Sequence, residues 1–68
     1  MTENLFEIRT LSISDFCRAY GLSRNTYYRM ERQGRGPRTM QIGKAKRIHV
    51  DAAEEWARRV EREPITFH

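Results

Sequence analysis

A mainly α-helical domain, three helices with one small β-hairpin, is the fold class that this 68-residue sequence predicts. Two segments share one start-and-stop grammar, Ser12 to Gly21 and Ser23 to Gly34, and give two helices in close succession. Met40/Ile42 and Ile48/Val50 place apolar residues in steps of two, the period of half-buried strands. Ala53, Trp56, Ala57 and Val60 then share one face of a last helix.

Residues 1–10 lack a period and read as an N-terminal arm, with Leu5, Phe6 and Ile8 available to dock on the body. Ser12 is placed to cap the first helix, and Asp15 to return the bond to the Ser12 amide. Leu11 and Phe16 have staple spacing across that cap, and Ile13, Phe16, Cys17 and Tyr20 form the apolar face. Gly21 ends the helix, because glycine takes the left-handed conformation at little cost. Ser23 caps the second helix, with Leu22 and Tyr27 as staple partners, and the helix runs from about Arg24 to Gln33 before Gly34. Only about three residues separate the two, the connection length of a helix-turn-helix unit. Tyr27 and Met30 point inward; Arg24, Asn25, Tyr28, Arg29 and Arg32 remain on the outer faces.

Gly34-Arg35-Gly36-Pro37 is a turn cluster. Gly43-Lys44-Ala45-Lys46 suits the hairpin tip, with Arg38, Gln41, Lys44, Lys46 and Arg47 as its outward side chains. Asp51 is placed to cap the third helix, which Pro64 terminates. The domain thus spans residues 11–62, between the arm and a C-terminal tail at 63–68. A hydrophobic share of 38% supports one small core.

Charge is segregated. Between Ser23 and Val50 stand eight cations (Arg24, Arg29, Arg32, Arg35, Arg38, Lys44, Lys46 and Arg47) against the single acid Glu31. The flanks are acidic: Arg9 and Arg18 face Glu3, Glu7 and Asp15, while Arg58, Arg59 and Arg62 face Asp51, Glu54, Glu55, Glu61 and Glu63. A net charge of +4 therefore conceals a strongly cationic middle. A charge run is usually a solvated face. Here the cations are unmixed with acids, mostly arginine, and confined to the second helix and the hairpin, which favours duplex nucleic acid as partner.

Other classes find less support. His49 and His68 stand apart in sequence, with no acid–base pair or activated nucleophile beside them, so neither an enzyme nor a metal or other cofactor is expected. His49 reads as an outward strand position. Cys17, the single cysteine, leaves no internal disulfide and no cysteine-rich zinc site, and reads as a small hydrophobe. Trp56 reads as the anchor of the last helix. No apolar run approaches the roughly 20 residues that span a bilayer. With the polar start Met1-Thr2-Glu3-Asn4, a cytoplasmic, nucleoid-associated location is expected.

Within the basic segment the roles divide. Arg24, Asn25 and Tyr28 are the first exposed residues of the second helix, where a recognition helix meets base edges; arginine pairs with guanine and asparagine with adenine. Tyr28 and Arg29 suit phosphate oxygens; for Asn25 and Thr26 the alternative to DNA contact is service to the cap, weighing more for Thr26. Arg38, Lys44 and Lys46 would grip backbone or enter a minor groove.

The run Leu11-Ser12-Ile13-Ser14-Asp15-Phe16, then Gly21-Leu22-Ser23-Arg24-Asn25-Thr26-Tyr27-Tyr28-Arg29-Met30, then Gly34, Pro37, Ile42-Gly43 and Arg47-Ile48, resembles the MerR-like winged helix-turn-helix domains of phage excisionases and AlpA-type prophage regulators. The resemblance covers about residues 11–60, and its most specific stretch is Gly21 to Arg29. It implies a second helix in the major groove, with contacts from Ser23, Arg24, Asn25, Tyr28 and Arg29; Thr26 joins these candidates by its place in the same helix. It also implies a wing on the neighbouring groove or backbone, through Lys44, Lys46 and Arg47; Arg35 and Arg38 join these wing candidates by their charge rather than by the resemblance. Lys46 stands where many relatives carry an aromatic residue. The dimerisation helix and effector domain of full MerR regulators have no counterpart in these residues, so no small-molecule effector is expected. The implied role is a recombination directionality factor that binds and bends attachment-site DNA. The alternatives are a prophage-type transcriptional regulator or a protein-interaction adaptor for an integrase. Further copies of the chain on repeated sites and a recombinase are the implied protein partners.

Overall fold

Two serines start the first two helices as their spacing predicts. The computed structural model describes residues 9–66, and in it the Ser12 hydroxyl accepts from the Asp15 amide at 3.0 Å while Ser23 accepts from the Thr26 amide at 3.1 Å. They precede helices α1 (Ile13–Tyr20) and α2 (Arg24–Arg32). Both helices also stop alike. Gly21 and Gly34 hold φ of 66° and 71°, which glycine adopts without a Cβ clash. The next amides reach back a full turn, Leu22 to the Cys17 carbonyl and Arg35 to the Met30 carbonyl, each at 2.8 Å. Ser23→Ala is therefore expected to lower stability by about 1 kcal/mol, read as a lower midpoint in urea unfolding. An unchanged midpoint would show the cap to be idle.

The rest is a three-stranded antiparallel sheet and a final helix, making the described residues a mixed α/β domain. Strands β1 (Thr10–Ser12), β2 (Met40–Ile42) and β3 (Ala45–His49) lie in the order β1-β3-β2, and helix α3 runs from Val50 to Arg62. The third strand is a correction to the sequence reading, in which Thr10 closed a loose arm. Thr10 pairs with His49 and is buried. Residues 1–8, including Leu5, Phe6 and Ile8, lie outside the described residues, as does His68.

Hairpin register supplies the second correction. The loop is only Gly43-Lys44, so Ile42 pairs with Ala45, Gln41 with Lys46 and Met40 with Arg47. Paired residues share a face, and a shift of one residue exchanges faces. Met40 and Ile42 consequently lie with Arg47 and His49 on one side of the sheet. Gln41 and Lys46, expected outward, lie with Leu11 and Ile48 on the other. Ile48 alone of the hairpin's apolar residues is fully buried; Met40 is exposed.

The third correction concerns the start of α3. Val50 is helical rather than a strand residue, and the cap is His49, not Asp51. His49 Nδ1 accepts from the Asp51 amide at 3.1 Å, which requires that nitrogen to be unprotonated. Asp51 instead sits in the first turn, where its charge suits the helix dipole. The helix ends at Arg62, with Pro64 two residues on.

An aromatic cluster joins the three helices. Phe16 meets Trp56 at 5.1 Å, Tyr20 at 5.0 Å and Tyr27 at 5.9 Å between ring centroids, in tilted and edge-on contacts. Cys17, Met30, Ile48, Ala52 and Ala53 complete the buried core. Trp56 Nε1 also donates to the Arg35 carbonyl at 2.9 Å, and the Arg59 guanidinium to the Gly36 carbonyl at 3.2 Å. Through these bonds α3 pins the loop that carries the chain from α2 into the hairpin.

Candidate nucleic-acid interface

With Tyr27 and Met30 committed to the core, helical geometry dictates what α2 presents to solvent. At about 100° per residue, Arg24, Tyr28, Arg32, Asn25 and Arg29 fall in one arc of about 140°. All five are exposed. The arc holds three arginines, an amide able to pair with a base edge, and a tyrosine in edge contact with Tyr27 at 5.2 Å. No described residue bonds the Asn25 side chain, which keeps both donor and acceptor available. The Arg24 guanidinium donates to the Ser14 hydroxyl in the first turn of α1, which ties it toward that helix. Arg32 belongs to the same arc and was absent from the residues assigned to DNA contact; the helical period alone places it there.

The cap claims two of the assigned residues. Besides accepting from the Thr26 amide, the Ser23 hydroxyl donates to Thr26 Oγ1 at 2.9 Å. Thr26 is half-buried and faces away from the arc. Both are cap residues in this structure.

The hairpin departs further from expectation. Arg38 forms an ion pair with Glu55 on α3, at 2.9 Å between well-exposed groups. Arg47 is half-buried, its Nε donating to Thr10 Oγ1 at 3.0 Å, so it closes over β1. Lys46 lies on the core side of the sheet and meets Glu31 of α2 at 3.0 Å, each side chain 38% exposed. Lys44 at the tip is exposed and unpaired among the described residues, and Arg35 in the preceding loop is exposed. Of five cations assigned to the hairpin side, Lys44 and Arg35 thus remain uncommitted, while Arg38, Lys46 and Arg47 make internal contacts.

Glu31 is the residue that the sequence reading left without a role. Its hydrogen bond to Lys46 holds its carboxyl below the ordinary value; the Tyr27 hydroxyl acts in the same direction and partial burial opposes them. That hydroxyl is sealed from solvent with no partner at full hydrogen-bond geometry. Burial, with Glu31 beside it, pushes its ionisation well above the normal tyrosine range. We read the Tyr27–Glu31 contact as looser than the Lys46–Glu31 bond. Its lone negative charge in a basic segment was the available signal for Glu31. Cys17 is buried and its thiol is pushed up by desolvation, as suits a core side chain.

Among the described residues no group of three or more His, Cys, Asp or Glu could hold a metal ion, and no helix is long and apolar enough to cross a membrane. No family model, curated protein or solved structure matches this chain.

Proposed function

We propose that this chain is a sequence-specific double-stranded DNA-binding protein of winged helix-turn-helix design, acting in the cytoplasm without catalysis or cofactor. In this reading α2 enters the major groove and the hairpin tip meets the adjacent backbone. The observation that carries it is the arc of Arg24, Asn25, Tyr28, Arg29 and Arg32, contiguous, exposed and opposite the buried Tyr27 and Met30. An α-helix presenting such an arc fits the major groove, where arginine and asparagine read base edges. The role we favour is that of an excisionase-like factor bending attachment-site DNA. It rests on the motif from Gly21 to Arg29; one recognition helix with one hairpin reads few base pairs, which calls for cooperating copies or a recombinase partner on repeated sites.

Titrating salt against duplex affinity tests the reading. Each contacted phosphate contributes about −0.9 to the slope of log affinity against log salt. With Arg29, Arg32, Arg35 and Lys44 on phosphates, the slope should be about −4. Absence of duplex binding even at low salt would overturn the proposal. Circular permutation of a bound fragment separates a bending factor, which shifts mobility with site position, from a regulator that leaves DNA straight.

A further inference from the structure

An acid on a DNA-reading helix is costly, because it repels the phosphates that its neighbours attract. Glu31 stands at the margin of the α2 arc, immediately before Arg32. Its charge is met by Lys46 of β3 at 3.0 Å. Those two residues join the elements that, on the DNA-binding reading, must engage two different features of the duplex at once. An ion pair this exposed adds little stability, because solvent screens it and two long side chains must be held in one geometry. Geometry is a better account of it. Lys46 lies on β3, paired with Gln41, two residues from the tip cation Lys44 in the loop that β3 follows. Glu31 sits one turn beyond Tyr28 on a helix that the buried Tyr27 and Met30 hold in rotation.

Resting on the DNA-binding reading, we propose that the Glu31–Lys46 pair is a brace that sets the angle of the hairpin to α2, and so the distance between the base-reading arc and the Lys44 tip. Glu31 is then a positioning residue for sequence recognition, and Lys46 its partner rather than a phosphate contact. The alternatives to a brace predict uniform changes of opposite sign. Were Glu31 a bystander, its neutralisation would remove a repulsion and raise affinity for every duplex equally. Were Lys46 a phosphate contact, its loss would weaken every duplex equally and flatten the salt slope by about 0.9. A brace instead governs the ratio between cognate and unrelated DNA.

The probes are a duplex selected by the wild-type chain from a randomised pool and a scrambled duplex of the same composition. Glu31→Gln and Lys46→Met should each lower the ratio of affinities about tenfold, the equivalent of roughly one base contact, with the salt slope unchanged. The double variant should be no worse than either single one, since both remove the same tie. The exchanged pair, Glu31→Lys with Lys46→Glu, should restore much of the ratio at wild-type net charge, a rescue that loss of a mere stabilising contact would not give. Circular dichroism melts confirm that each variant is folded at the binding temperature; if one is not, the other single variant carries the test. An unchanged ratio in a folded Glu31→Gln or Lys46→Met chain overturns the brace while leaving DNA binding intact. A wild-type chain that selects no duplex overturns both.

Discussion

Trp56→Ala is expected to remove a large part of the domain's stability. At about 0.05–0.15 kcal/mol per residue, a chain of 68 residues has roughly 3–10 kcal/mol of stability. Removing a buried tryptophan costs about 3–5 kcal/mol. Trp56 is 5% exposed and meets Phe16 at 5.1 Å and Tyr20 at 5.3 Å, so the vacated space would lie in the middle of the aromatic cluster. Few other side chains are large enough to refill it. The same change deletes the donor to the Arg35 carbonyl, which frees the loop between α2 and the hairpin. Trp56→Phe separates these effects. It keeps a ring against Phe16 and loses the Nε1 donor, at a cost of about 1 kcal/mol or a Tm lower by ~4–8 °C. A thermal melt by far-ultraviolet circular dichroism reads both. A Trp56→Ala chain melting within a few degrees of wild type would mean that the cluster is not what joins α3 to the first two helices.

That cluster was legible from sequence because its members announce themselves locally. Phe16 and Cys17, and Tyr27 and Met30, each fall on an apolar helical face between a recognisable cap and stop, and Ala53 and Trp56 share the apolar face of α3. Period and capping act within one turn, and one turn is visible in a linear string. The strands carried no such signal. Thr10–Ser12 is three residues long, too short to establish an alternation, and it exists because β3 offers an edge. The register of the hairpin depends on a single quantity, the length of the loop. Counting Ala45 and Lys46 into the tip instead of the strand put Gln41 and Lys46 on the wrong face. His49 was missed as a cap because the step of two from Ile48 to Val50 imitates a strand that continues.

The candidate site divides along the same line. The α2 arc follows from the helical period and was read almost whole, with Arg32 the omission. The fates of Arg38, Lys46 and Arg47 follow from Glu55, Glu31 and Thr10, partners distant in sequence. A count of charges registers how many cations a segment holds. Which of them are neutralised is a property of the packed chain.

On the proposed DNA-binding reading, Asn25→Ala is expected to weaken sequence preference markedly while leaving general affinity for DNA nearly intact. Asparagine carries no charge, so its loss does not alter phosphate attraction or the salt slope. Its amide is exposed on the second residue of α2, near the end of a recognition helix that meets base edges. A bidentate contact to adenine discriminates by about 1–3 kcal/mol, so cognate affinity should fall by that amount and scrambled-duplex affinity by almost none. Arg24→Ala gives a mixed result, because its guanidinium also holds Ser14: some discrimination is lost together with a little stability. Lys44→Ala sits at the opposite pole. Its ammonium at the exposed hairpin tip is a point charge, so both duplexes should weaken together and the salt slope should shrink by about 0.9. Fluorescence anisotropy on the two duplexes at several salt concentrations distinguishes these three signatures in one experiment. Unchanged discrimination in Asn25→Ala, or a loss of discrimination centred on Lys44→Ala, would move the base-reading element from α2 to the hairpin.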